Sequence, residues 1–126
     1  MARILVIDDE PVILKVLEEV LQDAGHEIIS AGSGMEGVEI LRQGVIPEGI
    51  LIDLFMPGLS GREFVIMVRQ EFKMETVPII LMTGAVNSTL DFPPKGTYQD
   101  VISKPFDIME LVAKVNQLVS EPTDSN

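Results

Sequence analysis

Along this 126-residue chain, the polar side chains that could do chemistry follow short apolar runs. Asp8 and Asp9 come after Ile4 to Ile7, Asp53 after Ile50 to Ile52, Thr83 after Ile79 to Met82, and Lys104 shortly after Val101 and Ile102. Singly, each has an ordinary structural reading: Asp9 as a helix cap, Asp53 as a loop residue, Thr83 as a strand-end hydroxyl, Lys104 as a solvated charge. Together they describe a site. Three carboxylates brought within about 5 Å would repel by about 3 kcal/mol per pair at an effective dielectric of 20, which calls for a cation. Oxygen-only ligands with two or more acids select a hard ion such as Mg²⁺, which keeps several waters and accepts a phosphate oxygen. Lys104 adds a second positive charge and Thr83 a donor, a layout suited to a phosphoryl group.

The elements that must position these residues are legible from the apolar pattern. The runs above are short and rich in β-branched residues, as strands buried on both faces of a parallel sheet require. A further strand is expected around Glu27 to Ser30. Val12, Ile13, Val16, Leu17, Val20 and Leu21 repeat at the spacing of one helix face, which Gly25 stops, and Ile108, Leu111, Val112, Val115, Leu118 and Val119 form a second such face. Capping boxes are expected at Ser33 with Glu36, Ser60 with Glu63, and Asp107 with Glu110. Leu59 with Phe64 and Phe106 with Leu111 have the spacing of hydrophobic staples, and Pro11 suits a first helical turn. The order βαβαβαβ, an unassigned stretch, then βα predicts a parallel sheet covered by helices on both faces. In such sheets ligands bind beyond the carboxyl ends of the strands, where the polar residues fall.

Composition narrows the function classes. The length suits one domain, expected over residues 1–119, with Ser120 to Asn126 as a polar tail or the start of a linker. A formal charge of -11 opposes direct nucleic-acid binding. No run is long and apolar enough for a membrane helix, and the start carries no signal-peptide pattern, so a cytoplasmic address is expected. The absence of cysteine excludes disulfides, thiolate zinc and cysteine nucleophiles, and a single histidine, His26, cannot build a histidine metal site. His26 follows the helix-stopping Gly25 and is expected at the surface or an edge, not as a phosphohistidine. The seven methionines are scattered, as core filling would have them.

The runs Ile7-Asp8-Asp9-Glu10-Pro11, Asp53-Leu54-Phe55-Met56-Pro57-Gly58-Leu59-Ser60-Gly61, Met82-Thr83-Gly84 and Lys104-Pro105-Phe106 resemble the receiver domains of two-component response regulators. The resemblance spans residues 3–119. It implies a flavodoxin-like α/β fold with a five-stranded parallel sheet in the order 2-1-3-4-5, an order given for this fold type in general. It implies that Asp53 accepts a phosphoryl group from a phosphohistidine of a histidine kinase or histidine phosphotransfer protein. Asp9 and Asp53 would bind Mg²⁺ directly with the backbone carbonyl of Phe55, and Asp8 through water. Thr83 would bond the phosphoryl oxygen, Lys104 would pair with it, and Lys104-Pro105 would be a cis peptide.

Two departures bear on the output. Val101 stands where the family usually carries an aromatic residue, and Tyr98, three residues earlier, is not taken as its substitute. Between the fourth and fifth strands, Leu90 to Gly96 contains Pro93, Pro94 and Gly96, so the helix expected there should be short or missing. Ala85 to Gly96 is expected to be irregular, with few apolar anchors. The leading reading is a phosphoryl-accepting switch that alters its affinity for a downstream protein target, with self-phosphorylation and self-dephosphorylation as its only catalysis. A receiver-like interaction domain that signals without phosphate is the alternative. A haloacid-dehalogenase-type phosphatase would need a second aspartate two residues after Asp8, where Glu10 stands.

Overall fold

The computed structural model describes residues 2–84 and 91–119. Five strands, β1 (Arg3–Ile7), β2 (Glu27–Ala31), β3 (Gly49–Asp53), β4 (Ile79–Thr83) and β5 (Asp100–Ser103), form one parallel sheet in the order β2-β1-β3-β4-β5. Four helices accompany them among the described residues: α1 (Pro11–Asp23), α2 (Gly34–Arg42), α3 (Gly61–Gln70) and α4 (Ile108–Val119).

The apolar runs are continuous because both sheet faces are buried. Leu5, Ile7, Ile50, Ile52, Ile79 and Leu81 join one core with Val38 and Leu41 of α2 and Phe64, Val65 and Val68 of α3. Their strand neighbours Ile4, Val6, Leu51, Ile80 and Met82 join the other, with Leu17 and Leu21 of α1 and Leu111 and Val115 of α4. Successive strand residues thus serve opposite cores, as the alternation of Cβ directions dictates.

The three expected capping residues, Ser33, Ser60 and Asp107, each accept from the first turn of their helix. Ser60 and Glu63 form a reciprocal capping box: the Glu63 amide donates to Ser60 Oγ at 3.1 Å and the Ser60 amide to Glu63 Oε1 at 3.0 Å. Asp107 Oδ1 accepts from the amides of Met109 and Glu110 at 2.8 and 3.2 Å. At α2, Ser33 Oγ accepts from Glu36, but the Glu36 carboxylate takes the amide of Gly32 rather than that of Ser33. Pro11 opens α1, whose N-cap Glu10 makes no side-chain cap, and Gly25 at φ +98° lies just past its end.

No α-helix joins β4 to β5 among the described residues. Of the stretch expected to be irregular, residues 85–90 lie outside the described residues, and Asp91 to Gly96 has no α-helix. Among the described residues of that stretch, two apolar side chains, Phe92 and Pro93, are anchored. Pro93 is buried, and Phe92 and Tyr98, with ring centroids 5.9 Å apart, pack on the α2/α3 core. Val101 packs there too, so β5 is tied to that core by these neighbours. His26, expected at the surface or an edge, immediately precedes the edge strand β2 but is not at the surface. It is buried, its Nδ1 accepts from the amide of Ala2 at 3.2 Å, and its Nε2 lies 2.6 Å from Asn116 Oδ1. The helix end places this side chain under α4, which its position in a connecting turn did not reveal.

Candidate functional site

The strand order reverses between β1 and β3, and the carboxyl ends of these two strands carry Asp8 and Asp53. Asp8 is 0% exposed and Asp53 5%, whereas Asp9 is exposed. Carboxylate oxygens of Asp8, Asp9 and Asp53 all lie within 4.8 Å of one another. The convergence expected from the spacing of the apolar runs is therefore present. An all-oxygen donor set of three acids with one open to solvent fits a hard divalent ion that keeps part of its water shell.

β5 and the turn after it deliver Lys104. Its amide donates to Thr83 O at 2.8 Å, extending the β4–β5 pairing, and the Lys104-Pro105 peptide is cis. Its Nζ lies 2.9 Å from Asp8 Oδ2, 3.0 Å from Asp53 Oδ2 and 3.4 Å from Glu10 Oε1. This adds to the sequence reading, in which Lys104 only neutralised an incoming phosphoryl group. The ammonium already relieves the repulsion between the two buried acids. Glu10, a third carboxylate partner of this lysine, was missed. Its signal was its place two residues after Asp8 and immediately before Pro11, where a helix must begin.

The electrostatics follow from this packing. Burial pushes the Asp53 carboxyl above the ordinary carboxylate value and Asp8 adds to the rise, while hydrogen bonding and attraction from Lys104 only partly oppose it. For Lys104, burial alone would lower the pKa. Its bonds to Asp8 and Asp53 outweigh that and hold the ammonium above its ordinary value, so it stays charged.

The remaining sequence-predicted residues are gathered here. Thr83, 3% exposed, ends β4 beside β3, its neighbour Met82 pairing with Asp53. The Phe55 amide is 3.4 Å from Asp53 Oδ1, and the Phe55 ring is 44% exposed. Glu10, Asp53, Phe55, Gly84 and Lys104 line one open depression. Beneath it, the Gly61 amide donates to Leu54 O at 3.0 Å. A Cβ on Gly61 would fall 2.5 Å from Asp53 O and 2.7 Å from Leu54 Cα, so α3 can start this close to the acid only with glycine there.

The sequence profile of the response regulator receiver domain matches residues 4–116. Protein PilH of Pseudomonas aeruginosa is 30% identical over 121 residues, covering 95% of this chain and 99% of that protein. The DNA-binding response regulator MtrA of Mycolicibacterium smegmatis is 33% identical over 115 residues, 90% of this chain but only 48% of MtrA. The crystal structure of response regulator protein TrrA from Thermotoga maritima, in complex with Mg²⁺-BeF, superposes with a TM-score of 0.80 at 36% identity, covering 94% of this chain and 99% of that one.

Proposed function

Because the chain belongs to the response regulator receiver domain family, a family of two-component signalling, we propose that it is a phosphoryl-accepting switch with Asp53 as the acceptor. The observation that carries this reading is the convergence of Asp8, Asp9 and Asp53 at the switch point of the sheet, with the Lys104 ammonium bridging Asp8 and Asp53. One Asp53 oxygen attacks the phosphorus of a phosphohistidine on a histidine kinase or histidine phosphotransfer protein. A P–O bond forms, the P–N bond breaks, and the imidazole leaves with the electron pair and takes a proton from solvent, leaving an acyl phosphate on Asp53.

Asp9, Asp53 and the Phe55 carbonyl would hold Mg²⁺, with Asp8 acting through water. The ion supplies charge neutralisation for the phosphoryl oxygens. Lys104 moves its pairing from the Asp53 carboxylate to a phosphoryl oxygen, and the Thr83 hydroxyl donates to another. The domain acts as a switch for a downstream protein, in the cytoplasm, and not as a metabolic enzyme. Among the described residues no helix is long and apolar enough to cross a membrane.

Intact-mass measurement after incubation with Mg²⁺ and a small acyl-phosphate donor tests this reading. The chain should gain the mass of one phosphoryl group, and Asp53→Asn should gain none. Equal labelling of both, or of neither, would reject Asp53 as acceptor.

A further inference from the structure

Arg62 and Arg69 are both on α3, seven residues apart and so on one side of the helix. Arg62 Nε donates to Phe92 O at 3.2 Å. Arg69 donates to Thr97 O through Nε at 3.0 Å and Nη2 at 2.7 Å, to Met74 O through Nη1 at 2.6 Å, and to Gln99 Oε1 at 3.3 Å. Neither arginine has a carboxylate ion pair among the described residues. A half-buried guanidinium spent on backbone carbonyls is a positional device, because its fork fixes direction as well as distance.

What the two arginines hold is the approach to β5. The Thr97 amide and hydroxyl both donate to Pro94 O, closing a turn with Gly96 at φ +90°. Gln99 then joins β4, its amide to Ile79 O at 2.8 Å and its side-chain oxygen accepting from the Ile79 amide at 2.7 Å. Residues 91–99 thus form a strap, with Phe92, Pro93 and Tyr98 as its apolar underside and α3 as its bolt. One residue before Arg62, α3 begins against the backbone of Asp53 and Leu54.

We infer that α3 links the acceptor to this strap: Arg62 and Arg69 latch residues 91–99, and the start of α3 at Gly61 passes a change at Asp53 to the latch. The link runs beside any route through Thr83, and it rests on the phosphoryl-accepting reading of Asp53. Phosphorylation tightens the strap, so by reciprocity an intact latch favours the phosphorylated state by the same factor. The output is then a change in the order of the strap, the surface between β4 and β5, with no aromatic swing at Val101.

Amide hydrogen exchange of peptides covering residues 91–99, in the whole chain, tests the latch and the link separately. In the free protein, Arg69→Gln and the exposed Arg62→Ala should each speed exchange in those peptides about tenfold, the loss of a charge-assisted bond to the backbone. Unchanged exchange in both variants overturns the latch, and no phosphoryl chemistry enters that result. Beryllofluoride with Mg²⁺ should slow strap exchange in the wild type. Arg69→Gln should reduce that slowing and weaken the apparent affinity for the mimic several-fold. A variant that binds the mimic with wild-type affinity overturns the link and leaves the acceptor reading intact. A wild type whose residues 53–59 do not respond to the mimic rejects the acceptor reading, and the link with it, while the free-state comparison still decides the latch.

Discussion

Lys104→Met would leave the wholly buried Asp8 and the nearly buried Asp53 facing each other without the ammonium that now bonds to both. Removing one partner from a buried ionic cluster typically costs about 3–5 kcal/mol. Urea denaturation without Mg²⁺ should therefore show a loss near the lower end of that range, since the lysine is not fully enclosed, and added Mg²⁺ should restore part of it. A loss below about 1 kcal/mol, the range of surface pairs, would mean that the ammonium does not govern the site. Phe55 has a different role. Its half-exposed ring lines the depression over Asp53, where an apolar group can exclude an attacking water but cannot orient it. The phosphorylated chain should hydrolyse slowly, and Phe55→Asn should shorten its lifetime, read by the decay of the intact-mass adduct. A decay that is unchanged or slower removes this role from Phe55. The acids, Thr83 and Lys104 were legible in the sequence because each stands at the end of an apolar run. That Lys104 already bridges Asp8 and Asp53 was not, because 96 and 51 residues of chain separate it from these partners and only the folded sheet brings them together.

At the scale of the elements, the helix that begins under Asp53 is held by two local devices of unequal weight. The Ser60 and Glu63 capping box satisfies two amides, and Ser60→Ala should cost about 1 kcal/mol, as N-cap losses generally do. Gly61→Ala asks for more. The added methyl would meet backbone atoms of Asp53 and Leu54, which cannot rotate away as a side chain would. Backbone overlap of this kind typically costs about 1–3 kcal/mol, and here the displaced atoms include those of Asp53, the proposed acceptor. Gly61→Ala should therefore lower both thermal stability and the rate of labelling by an acyl phosphate, whereas Ser60→Ala should lower stability with labelling nearly intact. Equal effects on labelling would show that α3 does not set the position of Asp53. The five strands and four described helices were readable because the two cores impose short apolar runs on the sheet and a three-and-four repeat on α1 and α4, while α2 and α3 were marked by the capping pairs Ser33 with Glu36 and Ser60 with Glu63. The β4–β5 connection was readable only as a break in helical pattern. Its anchoring by Arg62, Arg69 and the pair Phe92 and Tyr98 comes from side chains 28 to 30 positions away or from contacts without period, which no local pattern encodes.

For the molecule as a whole, the formal charge of -11 and the buried acids set how stability responds to pH and to Mg²⁺. The Asp53 pKa in the folded protein is raised above 3.8, chiefly by burial. A carboxyl raised on folding favours the folded state only while it is protonated. Its cost is absent below the unfolded value of 3.8, grows as the pH rises from there through the folded value, and is complete above it. Lys104 does not enter this window, since its raised pKa keeps it charged throughout. Without Mg²⁺, Asp53→Asn should thus melt above the wild type at neutral pH, with Lys104 still bonded to Asp8, and its advantage should shrink as the pH falls toward 4. Mg²⁺ would act in the opposite sense, since under the proposed function it binds the folded cluster and not the unfolded chain. At a hundredfold excess over its dissociation constant the linkage is about 2.7 kcal/mol. For a domain of this size that is roughly a 10 °C rise in melting temperature. The wild type should show the larger rise and Asp53→Asn the smaller, so that Mg²⁺ narrows or reverses the order of the two. Circular dichroism melts at constant ionic strength, with and without Mg²⁺ between pH 4 and 8, measure both effects. If Asp53→Asn melts below the wild type at neutral pH without Mg²⁺, the attraction of Lys104 outweighs burial at Asp53. If Mg²⁺ moves neither melt, the three acids do not form its site.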